Sequence, residues 1–438
     1  MKFYTSVLPY RGRLLVRGVD KSGVQKKYRI NYKPSLFVPV GKETKYKTLD
    51  GRYVERIKFD SMPEATKWVN EYKNVTNFEY FGNTRHQYPF IADEFKGKID
   101  WDMNKIKLLT IDIECESENG FPSPEKADQP LICITVKDHT TKKIIVFGMG
   151  NFVNDREDVQ YINCVTETGL VETFTKFWVE YNPDIITGWN VKFFDIPYLM
   201  NRFRYLMGDE WLNQFSPWGI VEQKSASVLF ASREQQVWNI MGVDTLDYLD
   251  LYRKFTFVRR ESYKLDYIGE VELGQNKLDN PYDTFKEFYS NDYQRFVEYN
   301  IQDVELVDKL EDKLQLIALF LTMAYEAKVN YQDVFGQVRI WDCIIYHHLR
   351  SKNIVPPAVQ ESKTSSGYEG AYVKDPVVGF HDWVCSFDLN SLYPHLIMQY
   401  NISPETMVGF EPNRVNVQKM LNQECDLSDL DNRTITPN

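Results

Sequence analysis

No C-x-x-C pair occurs in the 438 residues, and the six cysteines (Cys115, Cys133, Cys164, Cys343, Cys385, Cys425) are scattered. That excludes a recognisable zinc knuckle and offers no disulfide framework, so a reduced intracellular setting is expected. Histidine is scarce too: there are six, and the pair His347-His348 stands in a helix-like stretch without acidic company. No Ser-His-Asp arrangement and no P-loop is visible. The opening run MKFYTSVLPYRGR lacks the apolar core of a signal peptide. The most apolar stretch, 316–323, is too short to span a bilayer, so no membrane partner is expected. A basic excess is also missing, since the net charge is −10. This weighs against simple coating of nucleic acid, although phosphate contacts need only local Lys and Arg.

What the chain does hold is ordinary globular material: 43% hydrophobic and 26% charged residues, with an aromatic share of 15% that suits base stacking and core packing equally. The length calls for two to four domains. Residues 1–97 read as short alternating strands, at 14–18 and 35–40, with a helix near 62–72, an α+β unit. Strands at 107–115, 131–136 and 143–149 then suggest an antiparallel meander. Helix 171–179, strand 184–189 and helix 196–206 follow, the pattern of a mixed α/β sheet. From 284 to 328 the 3.6-residue period is nearly continuous. Pro356-Pro357 and a Ser/Gly-rich stretch at 361–370 mark a boundary, after which 384–388 reads as a strand leading into a helix near Ser391. The spacing also predicts a hairpin between 228 and 243, with its turn near 232–235.

The strand at 107–115 carries the most chemistry. Side chains alternate faces, so Leu109, Ile111 and Ile113 point one way while Thr110, Asp112 and Glu114 point the other. Two adjacent carboxylates repel and raise each other's pKa unless a cation intervenes, and Mg²⁺ is bound by such groups together with substrate phosphate. Two more acids stand in suggestive places. Asp195 ends Gly188-Trp189-Asn190-Val191-Lys192-Phe193-Phe194-Asp195, just before a helix with Pro197 in its first turn. Tyr299 and Asp303 lie four apart on one helical face. Taken singly, each has a plain structural reading: a strand end emerging into solvent, a helix N-cap, the wet side of an amphipathic helix.

In order, D-x-E, N-x₃-F-D and Y-x₃-D resemble the three exonuclease motifs of family B DNA polymerases, in the variant with tyrosine in the third. The resemblance implies that Asp112, Glu114, Asp195 and Asp303 bind metal and that Tyr299 helps position the attacking water. Two metals roughly 4 Å apart suit phosphodiester hydrolysis, and three or four acidic ligands are what such a pair requires. Phe387-Asp388-Leu389-Asn390-Ser391-Leu392-Tyr393-Pro394 resembles motif A of the same polymerases, with His395 in place of the usual serine. Tyr368-Glu369-Gly370-Ala371 resembles the linker element between exonuclease and polymerase parts. Ser262-Tyr263-Lys264-Leu265-Asp266, Leu246-Asp247-Tyr248-Leu249-Asp250-Leu251-Tyr252 and Asn401-Ile402-Ser403-Pro404-Glu405-Thr406 are most similar to the polymerases of T-even-type phages.

The resemblance implies an α/β fold: a ribonuclease H-like exonuclease domain with a mixed sheet at 98–315. An α+β N-terminal domain precedes it at 1–97, a helical return to that domain follows at 316–358, and a partial palm occupies 359–438. It further implies that Asp388 holds the polymerase metals and that backbone at Leu389 and Ser391 grips a deoxynucleoside triphosphate. Tyr393 would exclude ribonucleotides, and Tyr368 and Gly370 would contact DNA. The expected cofactor is Mg²⁺, two ions per active site, with Mn²⁺ able to substitute. Expected partners are single-stranded 3′ ends and primer-template DNA, in the cytoplasm (that of a host cell if viral). The hairpin is expected to part the primer end from its template. Neither a K-x₃-N-S-x-Y-G helix nor a Y-G-D-T-D-S hairpin occurs in the sequence. Alone, the chain is therefore expected not to polymerise, and to need a second polypeptide bearing the remaining palm, fingers and thumb. The competing reading is a non-catalytic nucleic-acid-binding or regulatory module derived from a polymerase.

Overall fold

Eight residues, LLTIDIEC, form the strand Leu108–Cys115 about which the main sheet is built. In the computed structural model, which describes residues 1–117, 120–227, 234–358, 373–403 and 406, the fold is mixed α/β. The main sheet has the order Val159–Asn163, Ile144–Gly148, Leu131–Asp138, Leu108–Cys115, Ile185–Thr187, Asp244–Thr245. Leu108–Cys115 runs antiparallel to Leu131–Asp138 and parallel to Ile185–Thr187. The expected meander is thus present, in a sheet that is mixed as a whole.

The chain divides into two compact units. The first comprises Met1–Pro34, Phe59–Lys67 and Arg85–His347; the second comprises Ser35–Lys58, Trp68–Thr84 and His348–Asn438. In the first, helices cover the main sheet because their apolar stripes must be buried. Helix Glu167–Tyr181 starts where the Thr166 hydroxyl accepts from Gly169 N–H and stops at Asn182 in the left-handed region. It buries Leu170, Val171, Phe174 and Trp178. Truncating Phe174 or Trp178 to alanine costs about 3–5 kcal/mol on general experience of such cores.

The predicted long helical region resolves into Phe285–Asn291, Tyr293–Leu314 and Leu316–Ala327. Thr284 and Glu287 form a capping box on the first, and Asp292 caps the second. Along Tyr293–Leu314 the buried positions include Phe296, Val297, Asn300, Ile301, Asp303, Val304 and Val307, one continuous stripe. A three-stranded antiparallel sheet of Phe3–Tyr10, Arg13–Val19 and Gln25–Ile30 also belongs to this unit. Within the second unit, Ile354–Val355, Tyr46–Thr48, Tyr53–Lys58 and Ser35–Pro39 form a sheet in that order, packed around Val54, Phe81 and Val355.

Two expectations are corrected. The hairpin pairs Val221–Ser227 with Glu234–Ile240, so Glu234 and Gln235 belong to a strand and not to the turn. Its first strand, VEQKSAS, has no apolar alternation to betray it. Residues 384–388 form no strand: the backbone there joins no ladder, and helix Leu392–Gln399 follows. Among the described residues no strand pairs with this segment, and a strand exists only through such pairing.

Candidate metal-binding carboxylate site

Three structural elements deliver the acids. Asp112 and Glu114 come from the central strand, opposite Thr135 and Cys133 of its antiparallel neighbour. Immediately after Glu114 the pairing register shifts. Such an irregularity bends a strand and re-aims its side chains, and it recurs beside active sites. Asp303 comes from helix Tyr293–Leu314, where it is only 3% exposed. An amphipathic helix with aspartate on its wet side is thereby excluded. Carboxylate oxygens of Asp112, Glu114 and Asp303 all lie within 4.8 Å of one another.

Asp195 stands beside this triplet. It is the first residue of helix Asp195–Met207, not its N-cap. Its Oδ1 accepts from the backbone N–H of Ile113 at 3.1 Å, tying the helix start to the strand between the two strand carboxylates. The turn before it is held by Asp247, which accepts from Asn190 and Lys192 N–H at 3.0 Å each. Gly188 begins this turn, and a Cβ there would strike the carbonyl of Ile111 on the central strand, so the close approach requires glycine.

Two residues were not legible in the sequence. Lys277, in the polar loop after helix Leu265–Leu273, makes an ion pair with Asp303 and approaches Tyr299 Oη at 3.3 Å. Asn300, fully buried, donates from Nδ2 to Asp112 Oδ2 at 2.5 Å. No periodicity or motif singled out either one. Around them is a cavity of about 790 Å³, whose lining includes all four carboxylates, Tyr299, Lys277 and the aromatic rings of Phe121, Trp189, Phe194 and Phe285.

Burial drives all four acids toward their neutral forms, and repulsion within the cluster adds to it at Asp112 and Glu114. Asp112 is raised well above the usual carboxylate range by burial, then by Asp195, Asp303 and Glu114. Glu114 is pushed up to about 8 by burial and by Asp303. Burial lifts Asp195 to about 7, against its hydrogen bond from Ile113. Asp303 is raised as well, although Lys277 opposes the shift. Tyr299, raised to about 12, keeps its proton at neutral pH.

A divalent cation fits this donor set. Among the described residues Asp303 Oδ1 is buried without a hydrogen-bond partner, and three hard oxygen donors lie close together. A testable consequence follows from linkage. Because the folded state holds protons that the unfolded chain releases above about pH 4, the cluster's contribution to stability falls as pH rises toward 8. In chelator, the melting temperature should fall through this window. Added Mg²⁺ should raise it, and by more at about pH 8.5 than at about pH 5.5, because protons compete for the same oxygens. An Mg²⁺ shift as large at the acid pH would count against the site.

The remaining predicted residues lie elsewhere. Asp388, Leu389, Ser391 and Tyr393 belong to the second unit, all exposed, and among the described residues Asp388 joins no cluster able to hold an ion. Tyr368 and Gly370 fall outside the described residues.

The main sheet thus bears a carboxylate cluster in a cavity lined by aromatic rings, a donor set suited to a divalent cation. Residues 66–268 match the family model described as DNA polymerase family B, exonuclease domain, and residues 332–437 match DNA polymerase family B. The chain belongs to DNA polymerase family B. It is similar to the DNA-directed DNA polymerase of Escherichia phage RB69, with 34% identity over 437 residues, covering 93% of this chain and 48% of that protein. The DNA-directed DNA polymerase of Enterobacteria phage T4 is 31% identical over 434 residues, with the same coverages. The DNA polymerase delta catalytic subunit of Caenorhabditis elegans is 29% identical over 325 residues, covering 69% of this chain and 29% of that protein. The chain spans about half the length of the phage relatives it matches. Among the described residues no helix is long and apolar enough to cross a membrane.

Proposed function

We propose that the chain is the N-terminal part of a replicative DNA polymerase, and that its carboxylate cavity removes nucleotides from 3′ ends by two-metal hydrolysis. The observation that carries this reading is the convergence of Asp112, Glu114 and Asp303 within 4.8 Å, with one oxygen of Asp303 left unpartnered. A non-catalytic binding module would leave that buried, unpaired oxygen without purpose. Asp112, Glu114, Asp195 and Asp303 would hold Mg²⁺, which when bound would supply charge neutralisation and an activated water. Tyr299, protonated at neutral pH, orients that water by hydrogen bonding. Lys277 places a positive charge where negative charge gathers on phosphate oxygens. The rings of Phe121, Phe194 and Trp189 offer faces for terminal bases, so single-stranded ends should be preferred over paired ones, which must first unstack.

On the same reading residues 98–315 are the hydrolytic domain and 359–438 a partial palm. Asp388 would serve polymerisation, with the backbone of Leu389 and Ser391 and the ring of Tyr393 around an incoming deoxynucleoside triphosphate, and with Tyr368 and Gly370 along the DNA path. Polymerisation would then draw on a second segment, supplying fingers and another catalytic aspartate. The exposure of Phe387, Leu389 and Tyr393 supports this. The setting proposed is the cytoplasm.

The test uses the purified chain and a 5′-labelled single-stranded oligodeoxynucleotide. Mg²⁺ should produce stepwise shortening from the 3′ end with release of mononucleotides, and chelator should abolish it. Internal cleavage, or no cleavage in Mg²⁺ or Mn²⁺, would rule the reading out.

A further inference from the structure

The charge of the chain is unevenly distributed. Its first 34 residues hold nine Lys or Arg against one Asp, net +8, in a protein whose total is −10. Strand register sorts these cations. Tyr10 pairs with Arg13, Leu15 with Arg29, and Arg17 with Lys27. Paired residues share a face, and so do residues two apart along a strand. Tyr10, Arg13, Leu15, Arg17, Lys27 and Arg29 therefore all occupy one face of the three-stranded sheet.

Arg17 is spoken for. Buried, it pairs with Asp184 at 3.3 Å and donates to the carbonyls of Pro183 and Gly242. Arg11, Arg13 and Arg29 are different: all three are exposed, and among the described residues none takes part in an ion pair. They line a cavity of about 550 Å³ together with Tyr10, Leu15 and Trp218. Lys27 Nζ and the Arg29 guanidinium stand 5.6 and 5.9 Å from the Trp218 ring centroid, and Arg11 stands 5.1 Å from that of Tyr10. The Trp218 ring is anchored in a small core with Leu15 and Met241. Lys27 and Arg29 thus stand on one strand against a fixed ring, Arg13 opens the neighbouring strand, and Arg11 lies in the turn before it. Three unpaired guanidiniums around a concave, aromatic-floored surface suit a run of phosphates better than a single carboxylate. An acidic protein segment would find them too, but a strand whose end is hydrolysed elsewhere on the same unit supplies phosphates in series.

We propose that this basic face, formed by Arg11, Arg13 and Arg29 with Tyr10 and Trp218, binds the phosphodiester backbone of single-stranded DNA away from the end being processed. The two cavities share no lining residue, so the strand must be long enough to reach both. The proposal rests on the nucleic-acid reading above, and its test separates the two. In chelator, binding of labelled oligothymidylates of about twenty and of three nucleotides is followed by anisotropy as a function of KCl. Each single-strand phosphate contact contributes about 0.7 to the slope of log K against log salt. The Arg11→Gln/Arg13→Gln/Arg29→Gln variant should therefore lose about 2 from the long-strand slope and bind the long strand at least tenfold more weakly. Trimer binding should change little. A variant with Lys96→Gln, Lys98→Gln and Lys176→Gln, exposed at other places, controls for total charge and should keep the full slope.

An unchanged long-strand slope overturns the proposal, as does an equal loss for the trimer or an equal loss in the control. Stronger competition by polyglutamate than by unlabelled oligothymidylate would assign the face to an acidic protein and likewise overturn it. Hydrolysis of the trimer in Mg²⁺ by the unmodified chain is scored separately. If that fails while the length-dependent binding stands, the hydrolytic reading is wrong and the strand-binding face is right.

Discussion

Replacing Asp112 and Glu114 together by alanine should cut Mg²⁺-dependent hydrolysis at least about a thousandfold. Both strand ligands are lost, and about 4 kcal/mol of transition-state stabilisation is a modest share of what metal coordination supplies. Stability should move the other way. In chelator the two side chains are half-buried acids whose charged forms repel Asp195 and Asp303. Removing them relieves that repulsion, so the variant should melt higher than the parent at about pH 8. It should also lose most of its response to Mg²⁺. Paired measurements of rate and melting temperature check both halves, and a variant within tenfold of the parental rate would dismiss the assignment.

Lys277→Met should give the opposite stability result. In the absence of metal this lysine is the cation paired with Asp303, the pair having side-chain exposures of 24% and 4%. Breaking a buried pair costs about 3–5 kcal/mol. With the lysine partly open to solvent, about 2–3 kcal/mol is expected near pH 8. Asp303 is already raised by burial, and Lys277 is what holds it down. Without the lysine its pKa rises further, and a protonated Asp303 needs no counter-charge. The loss should therefore shrink as pH falls through the raised pKa, and it should shrink at pH 8 when Mg²⁺ is added. Denaturant titrations at two pH values, with and without Mg²⁺, measure it. A loss independent of both would show that the lysine stem packs, while its charge does nothing.

How much of this was visible in the sequence depends on which physical signal each residue carries. The central strand was legible because Leu109, Ile111 and Ile113 alternate with Thr110, Asp112 and Glu114. Helix Met62–Tyr72 was legible from its apolar spacing. Asp303 could be placed on a helix, but its burial depends on which face meets the sheet, and only the packed structure decides that. Lys277 lies in the loop sequence Gly274-Gln275-Asn276-Lys277, where no period operates. Its importance arises from a contact 26 residues away in sequence. Residues 384–388 have the composition of a strand, yet strand formation is a property of pairs. The polar strand Val221–Ser227 was missed for the converse reason: backbone pairing built it without help from an apolar pattern.

The hydrogen bond from Ile113 N–H to Asp195 bears on how an inactive form of this chain should be made. Asp195 is at once a wall of the cavity and a clasp between helix Asp195–Met207 and the central strand. Alanine at 195 would release a buried backbone donor and loosen the strand segment that aims Asp112 and Glu114. A trapped complex prepared that way would report a relaxed scaffold along with lost chemistry. Asparagine at 195 keeps an acceptor for Ile113, and substitution at 112 and 114 leaves the clasp untouched. Those are the forms in which a strand could be caught in the cavity without redrawing the cavity itself.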